Sequence, residues 1–136
     1  MAHEKFRAEV LTPEGEVFND EVELVSTKTV VGSIGILAHH EPVLAILDPT
    51  ELRLYKTESE VVRFAQAEGY LQVAENRVLI LVEEAMEPGS LDAGSLRERL
   101  QQADRELESA GEDTEKRRVA ERDKRRLESF LSIAGG

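Results

Sequence analysis

The chain has 136 residues, room for one ordinary domain and a smaller appendage but not for two domains each with a core of typical size. Acidic residues outnumber basic ones by 28 to 17, and the resulting net charge of -11 argues against a sequence-independent grip on nucleic-acid phosphates or anionic lipid. There is no cysteine, which excludes disulfides, thiolate metal sites and cysteine nucleophiles and fits a reducing compartment. No apolar stretch follows Met1-Ala2-His3-Glu4-Lys5, so no secretory signal is expected. No run approaches the ~18 consecutive apolar residues of a membrane span, and membrane association is expected only through other proteins.

From Phe6 to about Ala85 the hydrophobic pattern has period two. Phe6, Ala8 and Val10 alternate with Arg7 and Glu9; Val22 and Leu24 alternate with Glu21 and Glu23; Leu52 and Leu54 repeat the device. Such alternation marks strands with one buried and one wet face. Pro13-Glu14-Gly15, Gly32-Ser33, Asp48-Pro49-Thr50, Glu58-Ser59 and Glu75-Asn76 have the chemistry of turns between them. Ile34–Leu37, Val43–Leu47 and Val78–Val82 are nearly continuous apolar runs, which the spacing assigns to strands covered on both faces. The first half is therefore expected to be a β-sandwich of roughly eight to ten short strands.

Glu87-Pro88-Gly89-Ser90 stops this pattern, and the period changes at once. The expected domains are residues 1–87, a β-sandwich, and residues 88–136, an antiparallel two-helix hairpin. Leu96, Leu100, Ala103, Leu107 and Ala110 lie on one helical stripe, with Ser95–Glu98, Ser90 or Asp92 as alternative starts. Gly111-Glu112-Asp113 interrupts, and a second helix is expected from about Thr114 to Ile133, with Val119, Ala120, Leu127, Phe130 and Leu131 as its apolar positions. Charge divides along the same lines. Residues 1–87 carry 17 acids and 7 bases, residues 88–113 carry 7 and 3, and residues 114–136 carry 4 and 7, so the last helix is a basic patch on an acidic protein.

The chain resembles the epsilon subunit of bacterial F-type ATP synthases, the counterpart of the mitochondrial delta subunit. The residues that carry the likeness are Thr12-Pro13-Glu14-Gly15-Glu16-Val17-Phe18, the segment from Gly32 through Ile36-Leu37-Ala38-His39-His40-Glu41-Pro42 to Val43, Glu68-Gly69-Tyr70-Leu71-Gln72-Val73, and Asn76-Arg77-Val78-Leu79-Ile80-Leu81. The resemblance implies a ten-stranded sandwich that binds the gamma shaft and the c ring, with Ile34, Gly35, Ile36, Leu37, His40 and Pro42 as contacts. It further implies a hairpin that lies folded or extends toward the catalytic alpha and beta subunits. There Arg117, Arg118, Arg122, Arg125 and Arg126 would meet acidic residues and restrain ATP hydrolysis. The implied protein is no enzyme itself; it is a regulatory subunit at the cytoplasmic face of the bacterial inner membrane, without nucleic-acid partners.

The chain also departs from the pattern: Ala38 replaces a proline, Glu68 a glycine, Ser95 an arginine and Leu96 an alanine. The last two fall in the nucleotide motif of some relatives, of which Leu91, Asp92 and Arg126 remain while Phe130 replaces a second arginine. Weak or absent ATP binding is expected, and no cofactor. No metal centre is expected either, because His39 and His40, adjacent on a strand, point to opposite faces and His3 has no implied proximity. Two other functions fit less of the sequence: an ATP-binding sensor of the same complex, and a free-standing coiled-coil adaptor.

Overall fold

The computed structural model describes residues 3–135. Ten strands come first: β1 (Phe6–Thr12), β2 (Gly15–Val22), β3 (Leu24–Thr29), β4 (Gly32–Ile36), β5 (Val43–Leu47), β6 (Thr50–Tyr55), β7 (Val61–Gln66), β8 (Gly69–Ala74), β9 (Arg77–Val82) and β10 (Ala85–Met86). A 3₁₀ turn over Pro88–Ser90 precedes α1 (Ala93–Ala110) and α2 (Thr114–Ile133). The order expected from the periodicity, strands and then two helices, is the order found. The chain forms two compact units, Met1–Glu87 and Pro88–Gly136.

The strands follow the order β10-β7-β6-β3-β5-β8-β9-β1-β2, with β4 paired to β3 off this path. Neighbours are antiparallel except β1 and β9, which run parallel from Arg7↔Arg77 to Leu11↔Leu81. Alternation places Phe6, Ala8 and Val10 of β1, Leu52 and Leu54 of β6, and Val78, Ile80 and Val82 of β9 in one core with Ile36, Leu47 and Leu71. Gln66 is also fully buried there, accepting from Thr27 Oγ1 at 2.6 Å and donating through Nε2 to the Asp48 carbonyl at 2.9 Å. A buried amide is tolerated only when its polar atoms are paired in this way.

Two turns show why particular residues stand where they do. Glu75 and Asn76 have φ of 52° and 59°, both left-handed, as a two-residue turn between right-twisted strands requires. Between β3 and β4 the turn residues are Val30 and Val31, not the expected Gly32-Ser33; Gly32, with φ of 139°, opens β4 instead. Gly69 is needed for another reason. A Cβ there would fall on the carbonyl oxygen of Leu81 and within 2.7 Å of Val82 Cα, so β8 and β9 meet at a distance that admits only glycine.

In the helical unit Asp92 is the N-cap of α1, accepting from Gly94 N at 3.1 Å, which decides among the alternative starts and sets aside the Ser95–Glu98 box. Asp113 caps α2 in the same manner through Lys116 N. Leu96, Ala103 and Ala110 of α1, spaced by sevens, are buried, as are Ala120, Leu127 and Phe130 of α2. Heptad spacing with alanine at the contacts lets two helices approach closely. Lys124 of α2 meets Asp104 of α1 at 3.0 Å, and that contact holds the Lys124 ammonium above its ordinary range. Among the described residues, no helix is long and apolar enough to cross a membrane.

Candidate functional site

The three apolar runs expected to be covered on both faces are not. In β5, Val43, Ala45 and Leu47 turn inward while Leu44 and Ile46 are 75% and 54% exposed. In β9, Val78, Ile80 and Val82 are buried while Leu81 faces solvent, and in β4 the alternation ends on buried Ile36 followed by exposed Leu37. Register assembles the outward residues into a surface. Ile46 pairs with Tyr70, Tyr70 with Leu81, and Leu81 with Leu11, so one row crosses four adjacent strands. Leu44, Gln72 and Leu79 form the next row. Tyr70 is 56% and Leu81 43% exposed.

Beyond Tyr70 and Leu81 the face ends at Glu68 and Glu83, which are joined by a backbone hydrogen bond of 3.1 Å. On its other side a cleft of about 500 Å³ lies between the β3–β4 turn and β5, lined by Val30, Val31, Ile34, Leu44 and Ile46 among others. An apolar face with an acidic rim, on a domain this acidic, has the composition of a docking surface.

The residues expected to contact gamma and the c ring lie along β4 and the loop after it. Gly35, Leu37 and Pro42 are exposed, and Ile34 and His40 are half-buried. Ile36 is fully buried and serves the core. His40 Nδ1 lies 2.7 Å from the Glu41 carbonyl, and because a carbonyl only accepts, this nitrogen carries the hydrogen. His39 and His40 sit in a turn rather than on a strand, so the opposite-face argument does not apply to them. His39, with φ of 62°, donates its amide to Asn76 Oδ1 at 2.7 Å and brings Nε2 to 2.7 Å from Glu4 Oε2. Among the described residues no three metal-ligating side chains gather.

The basic helix is partly neutralised by its own acids. Arg118 binds Glu115 through both Nη2 at 2.7 Å and Nε at 3.1 Å, and this hydrogen bond holds the Glu115 carboxyl below its ordinary range. Arg117 reaches Glu121 at 3.7 Å and the Gly111 carbonyl at 3.4 Å, and Arg122 lies 3.2 Å from Asp123. Arg125 is exposed; Arg126 is half-buried and lines a groove of about 210 Å³ with Arg99 and Gln102. Leu91 and Asp92 do not line that groove. The Asp92 carboxylate is engaged as a helix cap, and Phe130, where a second arginine belongs to the nucleotide motif, is 2% exposed among the buried residues of α2.

Leu44, Ile46, Tyr70 and Leu81 are the surface that sequence reasoning missed. The signal was present: the apolar runs are longer than one-faced burial uses, and their alternate residues remain exposed.

Comparison with known proteins gives the same family from independent directions. Residues 5–88 match the model of the ATP synthase delta/epsilon chain β-sandwich domain. The ATP synthase epsilon chain of a Sulfurihydrogenibium species is 32% identical, over 95% of this chain and 96% of the relative. That of Persephonella marina is 37% identical, over 93% and 94%, and that of Rubrobacter xylanophilus 36%, over 92% and 88%. The fold recurs in a chain of the Euglena gracilis mitochondrial ATP synthase (TM-score 0.81, 19% identity, covering 97% of this chain and 82% of that one). It recurs also in a chain of the Tetrahymena thermophila central stalk and c-ring structure (TM-score 0.63, 19% identity, covering 98% and 99%). With a sandwich matched over its whole length and relatives matched through the helices as well, this chain belongs to the family of ATP synthase epsilon chains.

Proposed function

We propose that the chain is a non-catalytic subunit of the central stalk of a proton-translocating ATP synthase, fastening gamma to the c ring through its sandwich and restraining ATP hydrolysis through its hairpin. The observation that carries this reading is the apolar face of Leu44, Ile46, Tyr70 and Leu81. Covering what these four leave in water is worth on the order of 5 kcal/mol before the costs of association. The Glu68 and Glu83 rim suits a partner surface with bases around an apolar centre. The two solved structures named above, which share the fold, come from assemblies described as F1 with a c ring and as a central stalk with a c ring, which supports the same placement. In a bacterium that position is the cytoplasmic face of the inner membrane, with alpha and beta carrying the catalytic sites.

In the hairpin, Arg117, Arg118 and Arg122 of α2 pair with acids of their own helix, through exposed contacts that contribute little to stability. Such pairs are readily exchanged for acidic groups on a partner, as a restraint that engages and releases requires. Ending the chain after Glu87 is expected to leave binding to the gamma-containing complex intact and to raise its ATPase rate; an unchanged rate would remove the hairpin from regulation. The triple change Leu44→Ser, Ile46→Ser and Tyr70→Ser is expected to weaken that binding at least about tenfold with no loss of folding. Undiminished affinity would show that the docking face lies elsewhere.

A further inference from the structure

The sandwich has two long free edges, and they are built in opposite ways. Among the described residues, β2 ends the sheet, with no strand beyond it. Glu14, Glu16, Asp20 and Glu21 crowd it, its pairing with β1 is broken by a register shift at Val10/Leu11, and the Glu21 amide is taken by the Asp20 carboxylate at 2.7 Å. Charges, bulges and occupied amides are the devices by which a strand edge refuses a foreign strand. β4 has none of them. Among the described residues it pairs with β3 alone, without a register shift, and no charged residue occurs from Thr29 to Ala38. At the turn leading into it, Val31 is 93% exposed.

We propose that the free edge of β4 is a strand-addition site for an extended, uncharged segment of another protein in the rotary assembly. The added strand would pair through its main chain, and alternate side chains would enter the cleft between the β3–β4 turn and β5. Every residue lining that cleft is uncharged, so a charged strand would lose its hydration there without gaining a counter-charge. Leu44 and Ile46 belong both to this cleft and to the apolar outer face, so one partner surface can cover the two together. A second copy of the chain is the weaker occupant, because each copy carries a net charge of -11 and the copies repel. This inference rests on the stalk function proposed above and names how one of its partners is held.

Amide hydrogen exchange, measured on the isolated chain and on purified ATP synthase containing it, tests the proposal. On assembly the amides of Gly32–Leu37 are expected to slow by about tenfold or more, while those of Gly15–Glu21 change by less than about threefold. Gly35→Lys supplies a second reading. A side chain begun at Gly35 meets only Leu24 Cδ1, at 3.7 Å, so the variant is expected to keep its melting temperature and to bind the complex about tenfold more weakly, as a charge on the edge requires. Protection of Tyr70 and Leu81 with β4 unchanged would overturn strand addition while leaving the stalk function standing. Protection of neither would overturn both. Slowing of β4 in the isolated chain as its concentration rises would assign the edge to a second copy and refute a foreign strand.

Discussion

Replacing Gly69 by alanine tests the register on which the docking face depends. Gly69 stands opposite Leu47 in β5 and Val82 in β9. Its added Cβ would collide with the Leu81 carbonyl oxygen and lie 2.7 Å from Val82 Cα and 2.9 Å from the Leu81 carbonyl carbon, all main-chain atoms that no rotamer change can move. One strand must shift by on the order of 1 Å, an overpacking that costs about 1–3 kcal/mol. Hydrogen bonds at that end of the β8–β9 ladder would stretch as well, at about 1 kcal/mol each. A total near 3 kcal/mol corresponds, for a sandwich of this size, to a fall in melting temperature of about 12–24 °C. Thermal and urea unfolding followed by circular dichroism would measure it, with Gly94→Ala as control. There a Cβ meets Asp92 Oδ1 at an ordinary 3.5 Å, and stability is expected to rise by about 0.5–1 kcal/mol. A loss below about 1 kcal/mol for Gly69→Ala would mean that β8 and β9 do not pair as described, and the row Ile46–Tyr70–Leu81 would go with them.

Three further outcomes follow from the same geometry. Phe130→Ala removes the largest buried side chain of α2 and is expected to cost the hairpin about 3–5 kcal/mol, seen as lost helical circular dichroism with the sandwich transition unmoved. Thr27→Val leaves Gln66 Oε1 without its donor and is expected to cost about 1–3 kcal/mol in urea unfolding, with part recovered in the double variant Thr27→Val, Gln66→Leu. Arg118→Ala is expected to return the Glu115 carboxyl upward to its ordinary range, measured by side-chain NMR titration. Because the native value is the lowered one, the support this contact gives the first turn of α2 is complete above the ordinary glutamate range. It is lost as pH falls through the lowered native value, and an unmoved midpoint in the variant would show that the contact is not formed.

The sequence made the division into strands and helices legible because each half obeys a single period over many residues. Phe6, Ala8 and Val10 can alternate only as a strand, and Leu96, Ala103 and Ala110 share a side only as a helix. What composition could not supply was the identity of whatever covers an apolar face. Leu44, Ile46 and Leu81 look the same in a list whether another part of the chain covers them or another protein does; only register, through Ile46↔Tyr70↔Leu81, puts them on the outside. The turn at His39 and His40 was hidden for a related reason. The left-handed backbone at His39 accompanies an amide bound to Asn76, 37 positions away, a long-range contact that no local pattern announces. Asp92 was one of several possible caps until the Gly94 hydrogen bond chose it.

The parallel pairing of β1 with β9 governs the order in which the chain can take shape. Arg7 waits for Arg77, so a ribosome must extrude most of the sandwich before the first strand finds its second neighbour, whereas β1 with β2, or α1 with α2, can join as soon as each is made. Contacts so distant along the chain are slow to form, because a long loop must close before they reward it. During that wait the side of β1 that will receive β9 is open to other strands, and the nascent subunit is at its most vulnerable to aggregation.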